Sequence, residues 1–317
     1  MWWRRLKCVA RRLRLNPTIW SRRVDKRSTP LDSNWLRAHP LPDPANDVDK
    51  NERGRVLVIG GSKLVPGGIA LTAEAALRAG AGKVQVATVN SAALLLGMTL
   101  PEIAVIALDE TTDGELIASS NLSNLLASCD AVVAGPAMSN VEAARALVEV
   151  LVAAANSSKS PPVMVLDASA LLALPQFADR LRKLACPLIL TPHLGELAAL
   201  LECDSSEARC PSAVSRAASR FGATVVSKGP TSFVATADGE HFAYPGGGVG
   251  LATSGSGDVL AGLVGGLAAR GAPAVEALLW SIWLHGEAGR RCAEKIGPLG
   301  YLARELLAEV PLLMRGV

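Results

Sequence analysis

The feature that most limits how this chain can fold is a repeated alternation of short apolar runs with longer helical stretches. The first run, RVLVI at 55–59, has no polar interruption once it starts, which suits a strand buried on both faces of a parallel sheet. A helical stretch follows at 69–79 and a second strand at 83–88. The pattern continues with strands at 102–108, 131–134, 163–166, 187–190 and 224–227, and helices near 119–128, 141–155, 194–201 and 211–221. Residues 233–236 and 241–244 read as a hairpin across the Ala-Asp-Gly-Glu turn at 237–240, and three helices close the chain near 258–270, 273–294 and 300–310. Such alternation predicts a doubly wound α/β fold, a mostly parallel sheet sandwiched by helices, with ligands outside the carboxyl ends of the strands. Half of the residues are apolar and only 4% are aromatic, so the core is expected to be built from Ala, Val and Leu. No apolar run approaches the roughly 18–20 residues of a membrane span, and no integral membrane segment is expected.

Charge divides the chain. Residues 1–30 carry ten Lys or Arg against Asp25, a head of +9 on a chain whose net charge is +3. A basic head on an acidic body does not suit nucleic acid. Three readings of the head stay open: an Arg-rich transit peptide, a membrane-surface segment anchored by Trp2, Trp3 and Trp20, or a disordered extension. Residues 28–50 are rich in Pro and Asp and read as an irregular lead-in, which leaves 51–317 as one catalytic domain. The six cysteines form no C-x-x-C pair and suit reduced thiols in a cytoplasm-like compartment. An organelle matrix is the alternative if the head is a transit peptide.

The stretch from Gly246 to Gly271 carries the strongest chemical signal. After a glycine run it reads Gly255-Ser256-Gly257-Asp258 and then turns apolar, with Val259, Leu260, Leu263, Val264 and Leu267 on one helical face. The first amides of a helix lack intrahelical partners, and the helix dipole favours negative charge there, so Gly255, Ser256 and Gly257 form a candidate anion hole. Asp258 in the first turn is either a base or a helix cap. Gly262, Gly265 and Gly266 cost helix propensity and point to something packed very close.

Other candidates sit where strands end. The turn GGSKLVPGG at 60–68, with Gly67 and Gly68, is neither a P-loop nor a good dinucleotide fingerprint, and close helix–strand packing explains its glycines almost as well as a ligand does. Gly135 and Pro136 follow the strand at 131–134. Asp167, ending 163–166, either organises Mg²⁺ through water or caps the next helix. His193 in Thr191-Pro192-His193 is a ligand contact or a satisfied polar residue, and Glu196 a metal-side acid or a partner of the helix dipole. Lys228 suits a phosphate as a point charge, or is simply solvated; Gly229, Pro230, Thr231 and Ser232 follow it.

Taken in order, these motifs resemble the ADP/ATP-dependent NAD(P)H-hydrate dehydratase family of the ribokinase-like superfamily, from about Arg55 to Pro311. The resemblance covers G-[GS]-S with P-G-[AG], G-P-G, D-A-[DG]-A-L, T-P-H-P-G-E, K-G-x-x-T and the G-[ST]-G-D helix start. This chain departs from it at Ala137, Ser169, Leu194, Ser232 and the Gly246-Gly247-Gly248 run, where the family often has Asn. The resemblance implies dehydration of hydrated NADH or NADPH, NAD(P)HX, with ADP or ATP as phosphoryl donor and Mg²⁺. It implies Asp258 as catalytic base with the anion hole at 255–257. Nucleotide contacts fall on Lys228, Gly229, Pro230, Thr231, Ser232 and Gly257. Substrate contacts fall on Gly67, Gly68, Gly135, His193 and Asp258, with Glu196 and Asp167 near the metal. His285, in Trp283-Leu284-His285-Gly286, reads as structural. A homo-oligomer is open. A vitamin-precursor kinase of the same superfamily, or a nucleotide sensor without catalysis, would share much of this machinery.

Overall fold

The computed structural model describes residues 28–43, 49–119 and 121–317; the basic head and its three readings lie outside the described residues. The strands are β1 (Thr29–Pro30), β2 (Arg55–Ile59), β3 (Lys83–Val89), β4 (Ala104–Leu108), β5 (Ala131–Ala134), β6 (Val163–Leu166), β7 (Leu188–Leu190), β8 (Thr224–Ser227), β9 (Ser232–Ala235) and β10 (His241–Tyr244). They form one sheet in the order β1-β10-β9-β8-β7-β6-β5-β2-β3-β4. Neighbours run parallel except β9, which is antiparallel to β8 and β10 as the hairpin reading expects.

The helices are α1 (Ser33–Ala38), α2 (Gly68–Arg78), α3 (Asn90–Thr99), α4 (Leu122–Leu126), α5 (Val141–Ser157), α6 (Ser169–Leu172), α7 (Ala178–Leu181), α8 (Leu194–Leu201), α9 (Pro211–Phe221), α10 (Ser256–Ala269), α11 (Ala274–Lys295) and α12 (Ala303–Met314). The pleat sends Val56 and Val58 into a core shared with α2, α10, α11 and α12. Leu57 and Ile59 point the other way, into a core with α5, α8 and α9. Two-sided burial is why β2 shows no polar alternation. No helix among the described residues is long and apolar enough to cross a membrane.

Helix α10, expected from sequence to be a buried helix, is enclosed all round from Val259 to Ala269. The glycines explain it. A Cβ on Gly262 would lie 2.2 Å from Thr72 O, and one on Gly266 2.6 Å from Ala76 O, so α10 rests on the backbone of α2. A Cβ on Gly265 would lie 2.3 Å from Val133 Cγ2 on β5.

Three stretches differ from the sequence expectation. Residues 29–38, expected to be irregular, form β1 and α1. Asp32 caps α1 by accepting the amides of Asn34 and Trp35, both at 2.9 Å, and Leu36 is fully buried. Helix α3 was not expected: it starts directly from β3 with no side-chain cap, and its Leu94, Leu95 and Met98 face solvent. Residues 169–181, left unassigned in sequence, wind into α6, a 3₁₀ turn and α7, pieces too short to show a helical period.

Register matters most for function. Ile59 stands opposite Ala134, Ala134 opposite Leu166, Leu166 opposite Leu190 and Leu190 opposite Val225. The carboxyl ends of β2, β5, β6, β7 and β8 are therefore level, and the residues that follow them share one rim.

Candidate active site

Asp167 leaves β6 at the centre of that rim, with its side chain 3% exposed. Its Oδ1 accepts from the Thr191 hydroxyl at 2.7 Å and from Lys228 Nζ at 2.9 Å. It does not cap α6, whose N-terminus has no side-chain cap, so of its two readings the structure removes the capping one. Lys228 is not a solvated lysine either: its side chain is 22% exposed and its amide donates to Pro192 O at 2.9 Å. Burial alone would lower its pKa, but Asp167 and Glu196 outweigh that and hold it above the usual lysine value. The group is a permanent ammonium among carboxylates.

The first turn of α10 closes over this pair. Gly255 opens the helix with φ 85°, a left-handed conformation that glycine takes without cost, and a Cβ there would lie 2.4 Å from Leu71 Cδ1. A Cβ on Gly257 would lie 3.3 Å from Lys228 Nζ and 3.8 Å from Asp167 Oδ2, so the backbone at 257 lies directly against the ion pair. Ser256 is buried, and His285 Nε2 lies 2.9 Å from its Oγ and 3.0 Å from its carbonyl oxygen. Burial pushes His285 down to about 4, so the imidazole is neutral near pH 7. His285, expected from sequence to be structural, contacts Ser256, the first residue of α10.

Asp258 makes no capping bond; α10 has no side-chain cap at all. The carboxyl is half-buried and its pKa is raised to about 7, first by burial and then by Asp167, with Lys228 opposing. A carboxylate poised near neutrality beside a helix N-terminus can take a proton at physiological pH.

His193 and Glu196 belong to α8. His193 Nδ1 accepts the amides of Gly195 (3.0 Å) and Glu196 (3.3 Å), while Glu196 Oε2 accepts the His193 amide at 2.8 Å. This reciprocal capping box fixes the imidazole, whose Nε2 lies 3.4 Å from Glu196 Oε1, on a side chain 60% exposed. Glu196 is 9% exposed, and burial raises its pKa. Among the described residues no group of three or more His, Cys, Asp or Glu could hold a metal. With Asp167 Oδ1 and Glu196 Oε2 already occupied by donors, these acids suit a hydrated Mg²⁺ carried in on phosphates, not a protein cage.

The glycine positions separate. Gly67, at the start of α2, is exposed and a Cβ there would meet nothing within 4 Å. Gly68 lies beside the Ala137 methyl. Gly135 is buried, and a Cβ on it would lie 2.0 Å from Asp167 O, so the turn after β5 packs against the backbone at the end of β6. Gly229 and Pro230 form an exposed bend between Lys228 and Thr231, and Ser232 opens β9. Sequence reading gave no role to Thr191 or to the contact between His285 and Ser256. The Thr191-Pro192-His193 motif at a strand end was the available signal for the first.

A level rim of strand ends, an uncapped helix N-terminus and an acid in its first turn define a ribokinase-like α/β enzyme. The model of the NAD(P)H-hydrate dehydratase family matches residues 56–312, and the chain belongs to that family. An ADP-dependent (S)-NAD(P)H-hydrate dehydratase of Xanthomonas campestris is 45% identical over 280 residues, 87% of this chain and 92% of that protein. One from Neisseria meningitidis serogroup B is 36% identical over 276 residues, 84% of this chain and 87% of that protein. The crystal structure of the ADP/ATP-dependent NAD(P)H-hydrate dehydratase of Bacillus subtilis, co-crystallized with ATP/Mg²⁺, superposes with a TM-score of 0.76 at 25% identity, covering 92% of this chain and 99% of that one.

Proposed function

We propose that this chain dehydrates the S-form of NADHX and NADPHX, with ADP or ATP as phosphoryl donor. The observation that carries the reading is Asp258: uncapped, half-buried, raised to about 7 and set beside Lys228 at the start of α10. Asp258 takes the proton of the ring hydroxyl as that oxygen attacks the terminal phosphorus of the donor and the bridging P–O bond breaks, releasing ADP from ATP or AMP from ADP. The amides of Gly255, Ser256 and Gly257 stabilise charge on the transferring group. The phosphorylated ring then loses phosphate from carbon and a proton from the neighbouring carbon, which restores the double bond. Lys228 and the bend from Gly229 to Ser232 hold the nucleotide. Gly67, Gly68, Gly135 and His193 face the dinucleotide. Mg²⁺, when bound, supplies charge neutralisation, and Glu196 and Asp167 orient its waters.

The test is to incubate the protein with NADHX, Mg²⁺ and each nucleotide while following the return of NADH absorbance. Accumulation of a phosphorylated product would make it a kinase of the same fold. Nucleotide binding with no turnover would make it a sensor. The name of the Xanthomonas relative favours ADP. The free cysteines 129, 186, 203, 210 and 292 support a cytoplasmic setting. Self-association belongs to the same reading, supported by the exposed Leu94, Leu95 and Met98 of α3, and light scattering measures it.

A further inference from the structure

Two alanines at the rim have left-handed backbones, Ala137 after β5 with φ 58° and Ala168 after β6 with φ 51°. A Cβ makes this region costly, so surrounding structure has to hold each turn in place. The holding groups are two serine hydroxyls. Ser62, buried after β2, donates to Ala137 O at 3.1 Å. Ser169, directly after Ala168, donates to Met138 O at 2.7 Å. Backbone contacts complete the tie: Gly61 N donates to Pro136 O at 2.9 Å, and Gly135 lies against Asp167 O. Asp167 is thus flanked by the left-handed Ala168 and rests on a turn that is itself left-handed at Ala137.

We infer that Ser169 is a positioning residue: its hydroxyl clasps the turn after β6 to the turn after β5 and so holds Asp167, and through it Lys228, in register under α10. The role requires a donor. Met138 O is a carbonyl, so a carboxylate at 169 could not replace the hydroxyl in this arrangement. Ala137 and Ser169, two departures from the family pattern, become one device: the alanine adds strain to the turn, and the serine holds it. A glycine at 137 would adopt the same φ without strain and would need the clasp less.

The inference rests on the dehydratase reading for its kinetic arm only. The experiment is a double-substitution cycle with Ser169→Ala and Ala137→Gly, read by kcat, by the KM for each ligand and by melting temperature, with Ser169→Thr as the conservative variant. Ser169→Ala is expected to lower kcat about tenfold, the size of one net hydrogen bond, with the KM for nucleotide changed less. Ser169→Thr keeps the hydroxyl and is expected to restore most of the rate. In the Ala137→Gly background the same Ser169→Ala change is expected to cost no more than about threefold, because the strain at Ala137 is gone and only that at Ala168 remains. Equal losses in both backgrounds, in rate and in melting, would overturn the clasp. Coupled melting with an unaltered kcat in Ser169→Ala would overturn the positioning role. If the unsubstituted protein fails to dehydrate NADHX, the dehydratase reading falls, and the melting cycle still decides for or against the clasp.

Discussion

Lys228 Nζ donates to Asp167 Oδ1 at 2.9 Å across 61 residues of sequence, joining the ends of β6 and β8 beneath the first turn of α10. This ion pair sets the charge balance in which Asp258 works. The lysine stabilises ionised Asp258, whereas Asp167 opposes its ionisation, and burial adds to that opposition.

Asp258→Asn separates base from structural acid. Asn is close to isosteric and no capping bond is lost, so the fold is expected to survive. Turnover is expected to fall by roughly 10²–10⁴, the usual worth of a positioned proton acceptor. Steady-state rates beside a melting curve check it, and retained turnover with normal melting would exclude Asp258 as the base.

The same residue predicts opposite pH trends in rate and stability. A base with a pKa of about 7 is ionised above that value, so kcat/KM is expected to rise as pH climbs through neutrality. For stability, the folded pKa lies above the ordinary 3.8, so between these values the native state holds more protons than the unfolded chain. Stability from this group therefore falls as pH rises from about 4 to about 7. Melting of the protein and of Asp258→Asn across that window is expected to show the variant gaining relative stability toward pH 8.

Lys228→Ala is expected to weaken nucleotide binding by about 1–3 kcal/mol, the scale of a charge-assisted hydrogen bond, and to weaken dinucleotide binding less. The ion pair adds a structural cost that the sequence does not reveal. Removing the lysine leaves the buried Asp167 uncompensated, a change that typically costs about 3–5 kcal/mol. Lys228→Ala with Asp167→Asn is then expected to melt higher than Lys228→Ala alone. Calorimetric titration and melting curves separate the two effects.

Gly262→Ala tests whether α10 lies on the backbone of α2 as closely as described. Helix propensity alone favours alanine by about 1 kcal/mol. The added methyl would lie 2.2 Å from Thr72 O, so overpacking is expected to prevail and the net loss to be about 1–3 kcal/mol. Denaturant unfolding gives the value, and a stabilised variant would contradict the packing.

Truncation tests what β1 and α1 contribute. β1 pairs with β10, and Leu31 N donates to Ala243 O at 3.0 Å, so residues 29–31 belong to the sheet edge. Deleting 1–27 is expected to leave melting and turnover unchanged. Deleting 1–42 also removes Leu36, whose burial is worth about 1.5–3 kcal/mol, and is expected to lower the melting temperature.

What could be read in the chain was whatever local chemistry decides. Uninterrupted apolar runs such as RVLVI announce strands buried on both faces, and their alternation with helices implies the parallel sheet and its ligand-binding rim. Gly255-Ser256-Gly257-Asp258 marked the start of α10, a candidate anion hole, because an unpartnered helix start is a local property. Helix α3 was not legible, because exposed Leu94, Leu95 and Met98 alternate with buried Ala92, Ala93 and Leu96 and no cap residue opens it. The roles of individual polar residues depended on strand order. Asp167, Thr191 and Lys228 meet because β6, β7 and β8 are neighbours at level register, and no spacing in sequence encodes that. The adjacency of β5 and β6 likewise decided that Ser169 reaches Met138 O, whereas the capping of α8 by His193 is local to residues 193–196. Propensity and pattern act over a few residues, whereas a buried charge takes its role from the partner that packing brings to it.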